Sequence, residues 1–290
     1  MLPETDTQGV RIQDVVSELL GQQVVETERL PGGRNSRIYK LTSPTGGPYV
    51  AKLYHRKEGG QRDRLEAEFS GLQFLWKNGV RCVPQPIAAD RDHGCAVYGY
   101  IEGHEIPTQD VTTGDIDYAV EFLATLDSMK DKDGSRELSE AAEACFSVQA
   151  IVDNLQFRLD VLNGLTQGLN NQGATCDDLR KFLASEFIPA FQQIKDWSAE
   201  MHSRSGAPVD LDLPVSERTL SPSDFGFHNA VRCDDGQIFF VDFEYFGWDD
   251  PAKMVSDFLL HPAMELGEDL KLRFAAGMLD HREAGMRLRK

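Results

Sequence analysis

Residues 221–251 read SPSDFGFHNAVRCDDGQIFFVDFEYFGWDDP, and this stretch carries the clearest information about the fold. Asp224 and Asn229 stand in a loop-like segment, and Asp242 follows an apolar run. Between them, the sequence DDG at residues 234–236 is typical of a hairpin turn. Because a hairpin folds the chain back on itself, we expect Asn229 and Asp242 to converge beside Asp224.

Three oxygen-bearing side chains in one cleft suit metal-assisted phosphoryl transfer. Mg²⁺ is held by a few protein oxygens plus phosphate oxygens, which Asn229 and Asp242 would complement, while Asp224 would accept the proton of an attacking hydroxyl. Glu244 shares a strand face with Asp242 and is a candidate for a further contact near the metal. A β-hairpin with polar ends also explains the spacing of Asp224 and Asn229, but the strand-terminal DFE favours chemistry.

These residues resemble the aminoglycoside phosphotransferase and choline kinase group of small-molecule kinases. Asp224 and Asn229 match the family's base Asp followed by a metal-binding Asn, and Asp242 matches the metal-binding Asp that opens D-F-G in protein kinases. The family usually carries a His two positions before the catalytic Asp, where this chain has Pro222. That departure leaves an atypical or inactive member open.

The resemblance implies an α+β, protein-kinase-like two-lobe fold. A small antiparallel-sheet N-lobe is expected in residues 1–102 and a larger, mainly helical C-lobe in residues 103–290. The length of 290 residues fits two domains at about 150 residues each. The short gap after Asp242 leaves no room for a protein kinase's activation segment, which favours a small-molecule acceptor. Apolar spacing predicts helices at about residues 12–20, 63–78, 116–129, 139–165, 177–202 and 252–260.

A lysine that binds nucleotide phosphates and a glutamate that holds it are expected in the N-lobe. Residues 49–54 have strand character, and Lys52 shares a face with apolar neighbours under two-residue alternation. In the helix that follows, Glu68 lies roughly 60° from the centre of the apolar stripe, closer than Glu66. Two inward charges gain by pairing, because each alone would be costly to bury. A surface lysine and a solvated glutamate are the ordinary alternative.

The remaining nucleotide contacts follow from the resemblance. Gly33 and Ser36 precede the lysine strand and are candidates for a phosphate-covering loop, although glycines between strands are also an ordinary turn. The segment AVYGYIEG matches the family's hinge, which reads the base through its backbone, and we place it at Tyr98, Tyr100 and Ile101. Backbone recognition does not discriminate adenine from guanine, so ATP or GTP is the expected cofactor, with Mg²⁺.

Composition limits the partners. The chain has 30 Lys and Arg against 47 Asp and Glu, a formal charge of −17, which argues against a nucleic-acid backbone or an anionic membrane. A cationic acceptor, such as an amino sugar or amino alcohol, would be attracted. The five cysteines form no CxxC pair, the first ten residues lack the basic and apolar pattern of a leader, and no apolar run reaches membrane length, so a cytoplasmic location is expected. Nothing in the sequence indicates an oligomeric state.

Two other function classes remain compatible with these patterns. A nucleotide-binding regulatory module would keep the fold without turnover, as Pro222 and the thin glycine loop allow. An acidic helical scaffold would bind no nucleotide and would show no thermal shift with Mg²⁺ and nucleotide.

Overall fold

The structure is a computed structural model. It describes residues 12–31, 35–55, 63–168 and 174–288. The chain divides into two compact units, Met1–Ala144 together with Thr219–Lys290, and Cys145–Arg218. The boundary expected between residues 102 and 103 stays a prediction.

Regular elements of the described residues follow the expected order of a leading helix, a strand-rich region and a mainly helical part, although short strands also occur in the last part. The helices are α1 (Ile12–Leu20), α2 (Arg64–Lys77), α3 (Thr113–Ser128), α4 (Val148–Gly168), α5 (Ala174–Phe182), α6 (Ile188–Ser205), α7 (Pro251–Leu260) and α8 (Glu268–Leu288). The strands are β1 (Glu26–Arg29), β2 (Ser36–Thr42), β3 (Tyr49–Tyr54), β4 (Pro86–Asp90), β5 (Cys95–Gly99), β6 (His104–Glu105), β7 (Thr219–Ser221), β8 (Ala230–Arg232), β9 (Ile238–Phe240) and β10 (Gly247–Asp249).

Strands β1 to β5 form one antiparallel sheet in the order β1-β2-β3-β5-β4. The two faces of β3 follow its alternation: Ala51 and Leu53 pack with α1, while Tyr54 belongs to the core beneath α2. Lys52 lies on the α2 face, opposite Ile38 of β2 and Ala96 of β5. The predicted strand and its inward lysine are therefore confirmed.

Helix α2 begins where Asp63 caps it, with the Asp63 side chain accepting a hydrogen bond from the Glu66 backbone. Leu72 and Leu75 are fully buried against the sheet, and Glu68 is only 1% exposed. The expected inward orientation of Glu68 is confirmed, whereas Glu66 pairs with Arg91 at the surface.

A cluster of aromatic rings lies beneath the segment that was expected to carry the chemistry. Phe225 and Phe243 flank Asp224 and Asp242 in sequence, and both are buried. The Phe225 ring lies 4.7 Å from that of Phe240, centroid to centroid. These apolar side chains anchor the backbone next to each carboxylate, so the two carboxylates are attached to a tightly packed base.

The second unit, Cys145–Arg218, is helical. It contains α4, α5 and α6, with a π-helical turn at Leu183–Phe187 between the last two. Its small core is built on Leu159, Leu183 and Phe191. The prediction of a continuous helix over residues 177–202 is confirmed apart from that turn. None of the helices in the described part of the chain is long and apolar enough to span a bilayer.

The helix predicted over residues 139–165 is wrong in its first part, since α4 starts only at Val148. Before that, Ser139 accepts a hydrogen bond from the Trp248 backbone, and the Ala141 N–H donates to the Trp248 carbonyl. A side chain at Gly247 would collide with the Ser139 carbonyl. Pairing with β10 therefore replaces helical hydrogen bonds here, an effect that local spacing does not reveal.

Asp249 is a fully buried carboxylate beside Lys253, with 3.4 Å between Oδ2 and Nζ. Burial raises the pKa of Asp249 to about 6, although Lys253 opposes the shift. A pKa raised on folding means that the native state binds the proton more strongly than the unfolded state does. The stability contributed by protonated Asp249 is therefore lost as the pH rises through about 6.

We therefore expect Asp249→Asn to remove part of the pH dependence of unfolding. The Tm of the wild type minus that of the variant should fall between about pH 4 and pH 6 and level off above that, because only the wild type must ionise a buried carboxyl. Thermal denaturation across this range measures the difference, and Asp92→Asn, at an exposed position, is the control. A difference that grows with pH would contradict the assignment.

Candidate active site

The structure brings Asp224, Asn229 and Asp242 together by backbone and side-chain hydrogen bonds. The Val241 N–H donates to the Asn229 carbonyl at 2.9 Å, which places Asp242 next to a residue paired with Asn229. The Asn229 side-chain amide donates to the Asp224 carbonyl, also at 2.9 Å. The turn between β8 and β9 contains Gly236 with a φ of 86°, as a tight hairpin requires. The expected convergence is confirmed, while the roles of the three residues stay predictions.

Two residues at this site adopt a left-handed backbone that is uncommon outside glycine. Asp242 has a φ of 66°, and Ser223, directly before Asp224, has a φ of 68°. Such conformations cost free energy and persist where the surroundings impose them, often at functional sites. Here they orient the chain at both candidate carboxylates.

Lys52 joins the N-terminal sheet to the hairpin. Its Nζ lies 2.7 and 2.9 Å from the two Glu68 carboxylate oxygens and 2.9 Å from Asp242 Oδ1. Burial alone would lower the pKa of Lys52, but the neighbouring carboxylates outweigh it and raise the pKa above its ordinary value. Lys52 therefore stays charged, and its ammonium bridges two acidic side chains.

Tyr54 and Tyr98 form a buried hydrogen-bonded pair behind Glu68. The Tyr54 hydroxyl lies 2.6 Å from Glu68 Oε2 and 2.9 Å from the Tyr98 hydroxyl. The Phe243 N–H also points to Glu68, at 3.3 Å from Oε1. Tyr98 was expected in the hinge, but its phenol lies in this core. The alternation that turned Lys52 inward also placed Tyr54 on the same face, as the sequence predicts, but its contact with Glu68 was not predicted.

The hinge candidates lie at different depths. Tyr98 belongs to β5, paired with Val50. The Tyr100 N–H donates to the Pro48 carbonyl at 3.2 Å, and Lys40 Nζ lies 4.1 Å from the Tyr100 ring centre. Ile101 is half-buried, and its backbone takes no hydrogen bond from the described residues. Among the three, Ile101 has the backbone best suited to reading a base.

The expected phosphate loop is described only in part. Gly33 lies outside the described residues, and Ser36 is buried at the start of β2. Between them, the Asn35 amide donates to Glu244 Oε1 at 2.6 Å and to the Tyr245 hydroxyl at 2.8 Å. Glu244 is therefore engaged with the end of the loop, a contact that the sequence interpretation missed.

Two histidines contact the carboxylate of Asp224. His228 Nε2 lies 3.2 Å and His261 Nε2 lies 3.0 Å from the same oxygen, Oδ1. The hydrogen bond from His228 is the main cause that holds the pKa of Asp224 below its ordinary value, although partial burial opposes it. Asp224 is thus ionised at neutral pH, as a proton acceptor must be.

A cavity of about 320 Å³ adjoins this group on the side of His228. Most of the residues that line it are apolar, while Glu105 supplies a carboxylate and Thr108 a hydroxyl: Glu105, Ile106, Pro107, Thr108, Val111, Phe227, His228, Ala263 and Met264. Because His228 both lines the cavity and contacts Asp224, the cavity is separated from the carboxylate by one imidazole ring.

The donor atoms of Asn229 and Asp242 fit Mg²⁺. The side-chain nitrogen of Asn229 is used in the hydrogen bond to Asp224, which leaves the side-chain oxygen, Oδ1, to bind the metal. Asp242 keeps a partly open carboxylate, 38% exposed, although Lys52 binds Oδ1. Two hard oxygen ligands, both partly exposed, match a cation that takes its remaining ligands from water and phosphate.

A family model described as the phosphotransferase enzyme family matches residues 26–288. The chain belongs to this family. Membership confirms that the protein is an enzyme rather than a scaffold. It also confirms the expected reaction, which is phosphoryl transfer. The search of curated proteins finds no match.

Solved structures of similar fold support the same conclusion for the architecture of this phosphotransferase. A spectinomycin phosphotransferase in complex with ADP and spectinomycin is 14% identical, with a TM-score of 0.68 over 95% of this chain and 80% of that chain. Choline kinase LicA from Streptococcus pneumoniae is 17% identical, with a TM-score of 0.57 over 92% and 78%. A streptomycin and ATP complex of APH(2")-IIa is 14% identical, with a TM-score of 0.57 over 96% and 83%. The expected α+β, protein-kinase-like fold is confirmed.

Proposed function

We propose that this phosphotransferase transfers the γ-phosphoryl group of ATP to a hydroxyl of a small molecule. The observation that carries the proposal is the cluster in which Lys52 contacts Glu68 and Asp242. In the same cluster, Asn229 is hydrogen-bonded to the backbone of Val241, next to Asp242, and to the backbone of Asp224. Each chemical group that phosphoryl transfer uses, a base, metal ligands and a phosphate-binding cation, is present in it.

Asp224 orients the acceptor hydroxyl and takes its proton as the hydroxyl oxygen bonds to the γ-phosphorus. The bond between the γ-phosphorus and the oxygen that bridges it to the β-phosphate breaks in the same step, and ADP leaves with that oxygen. Its lowered pKa keeps the carboxylate ionised at physiological pH, so no proton must leave before the acceptor binds. Partial exposure, 36% of the side chain, leaves room for a hydroxyl to approach. Most of the rate increase then comes from holding the hydroxyl in line with the phosphorus atom.

Asn229 and Asp242 would hold Mg²⁺, which when bound offsets charge on the phosphate oxygens. Lys52, oriented by Glu68, binds the α- and β-phosphates. ATP is our preferred donor. GTP is the alternative, because backbone contacts at Ile101 would accept either base. The fold likeness to structures solved with ADP, AMP and ATP supports a nucleotide in this cleft.

The body of the acceptor occupies the cavity beside His228, and its hydroxyl extends past the imidazole ring to the exposed part of Asp224. A volume of about 320 Å³ suits a molecule the size of an amino alcohol or a single sugar ring. Among the described residues, Glu105 is its one lining carboxylate and no lysine or arginine lines it, so a positively charged acceptor is favoured. Solved relatives that act on choline and aminoglycosides support the same class.

The test is nucleotide-dependent phosphate transfer over a panel of amino alcohols, amino sugars and their neutral analogues. We expect transfer to a cationic acceptor, and Glu105→Gln should raise the KM of that acceptor about threefold to fivefold with kcat unchanged, as for an exposed ion pair. Glu121→Gln, an exposed carboxylate outside the cavity, is the matched control. Nucleotide binding without transfer to any acceptor would instead indicate a regulatory module.

We also infer a reducing, cytoplasmic location. All five cysteines are free thiols: Cys82, Cys95, Cys145, Cys176 and Cys233. Chains of oxidising compartments commonly pair their cysteines, which supports the inference. The charge of −17 supports the absence of nucleic-acid and anionic membrane partners.

A further inference from the structure

The carboxylate of Asp224 is held from two different elements. His228 lies in the same loop as Asp224, whereas His261 directly follows α7, 37 positions along the chain from Asp224. Their rings stack with 4.0 Å between centroids and 8° between planes. The stack directs both Nε2 atoms to Asp224 Oδ1. Two imidazoles on one oxygen exceed what a solvated catalytic carboxylate requires.

The tautomer of His261 follows from its other nitrogen. The Ala263 N–H donates to His261 Nδ1 at 3.2 Å, so Nδ1 carries a lone pair. In a neutral imidazole the proton is then on Nε2, which donates to Asp224 Oδ1. Burial, followed by the proximity of His228, lowers the pKa of His261 and favours this neutral form. His261 is therefore a preset hydrogen-bond donor.

His228 reaches the same oxygen from the opposite side of the stack. Its Nδ1 is buried and has no hydrogen-bond partner within the described ranges, while its Nε2 faces the carboxylate. An ionised carboxylate accepts hydrogen bonds only, so His228 also donates through Nε2. The two residues directly before Asp224 do not share this task, since the Ser223 hydroxyl donates to the Ala142 carbonyl and Pro222 has no side-chain donor. The Asn229 side-chain amide adds a weaker contribution, because it also helps to lower the pKa of Asp224.

We propose that His228 and His261 are positioning residues that hold Asp224 Oδ1, so that Oδ2 is presented to the acceptor hydroxyl. The inference rests on the proposed function, in which Asp224 is the base. A carboxylate with one oxygen held by two donors has lost most of its rotation about the Cβ–Cγ bond, so its free oxygen is oriented before the acceptor arrives. One of the two donors, His261, comes from the end of α7, outside the loop that carries Asp224.

A metal offers a competing explanation of the same cluster. The ligand atoms of Asp224, His228 and His261 lie within 4.8 Å of one another. Two imidazoles and a carboxylate are suitable ligands for Zn²⁺. Metal binding would occupy the base, whereas hydrogen bonding orients it, so the two explanations predict opposite effects of zinc on activity.

The kinetic test compares His261→Leu, which has no donor, with His261→Gln, whose side-chain amide can replace Nε2–H. We expect the Leu variant to lose about tenfold to a hundredfold in kcat, as for a hydrogen bond to a charged group, and the KM for nucleotide to stay within about twofold. The Gln variant should recover most of that loss. His93→Leu is the control, because it breaks a histidine–aspartate contact, 2.7 Å to Asp90, away from the site.

The same substitution made in the Asp224→Asn variant separates a positioning role of His261 from general destabilisation. If His261 acts through Asp224, then His261→Leu should cause no further loss of kcat in the Asp224→Asn variant. Wild-type kcat in His261→Leu, or an equal loss in both backgrounds, would overturn the proposal. So would micromolar Zn²⁺ binding that needs both histidines and is required for transfer.

A structural measurement tests the hydrogen bonds without any acceptor. Nitrogen-15 NMR of the histidine rings should show His261 as the Nε2–H tautomer, with a shift that changes in Asp224→Asn. The Nδ1–H tautomer would overturn the inference. A protein with the expected ring signals but no phosphate transfer would refute the proposed function while leaving the hydrogen bonds in place, so the two failures are distinguishable.

Discussion

Replacing Asp224 by asparagine should lower kcat by about a thousandfold while nucleotide binding stays nearly unchanged. An amide of the same shape cannot take the proton of the acceptor hydroxyl, and general base catalysis contributes typically 10² to 10⁴ in rate. Because the substitution keeps the size of the side chain and Asp224 is partly open to solvent, the fold should be unaffected.

Single-turnover phosphate transfer and nucleotide titration measure these two quantities separately. Asp234→Asn makes the same chemical change in the exposed turn between β8 and β9, and its kcat should match the wild type. Retention of more than about a tenth of the wild-type kcat in Asp224→Asn would show that the residue is not the base.

Lys52→Met should reduce both stability and activity, for different reasons. Removal of the ammonium leaves Glu68, 1% exposed, as an unpaired buried carboxylate. Breaking a buried ion pair in this way costs about 3–5 kcal/mol. The same substitution removes the cation that would bind the nucleotide phosphates, so transfer should fall below detection.

The double variant Lys52→Met and Glu68→Gln separates the two effects. The neutral glutamine side chain introduced by Glu68→Gln no longer needs a cation and still accepts from Tyr54, so most of the lost stability should return. Activity should not return, because the phosphate contact is still missing. Chemical denaturation and transfer assays give the two readouts, with Lys77→Met, a 69% exposed lysine of α2, as the control. Recovery of transfer in the double variant would contradict the role of Lys52.

The sequence predicted the elements of the site well because each depends on local geometry. Two-residue alternation turned Lys52 inward, helical spacing chose Glu68 over Glu66, and the DDG turn placed Asn229 near Asp242. Each of these patterns repeats within a few residues, where backbone dihedrals and apolar burial are sufficient to choose the structure. The family resemblance then supplied the chemical roles.

The contacts that complete the site depend on packing between distant segments. Lys52 and Asp242 are 190 positions apart, and Asn35 and Glu244 are 209 apart. His261 carried no local signal at all, since it simply ends an apolar helix, and the strand-like pairing of Ser139 with Trp248 overrode a helical pattern. Local periodicity says which face of an element is apolar, but the partner of a polar side chain is chosen only when those apolar faces pack and bring separate elements within hydrogen-bonding distance.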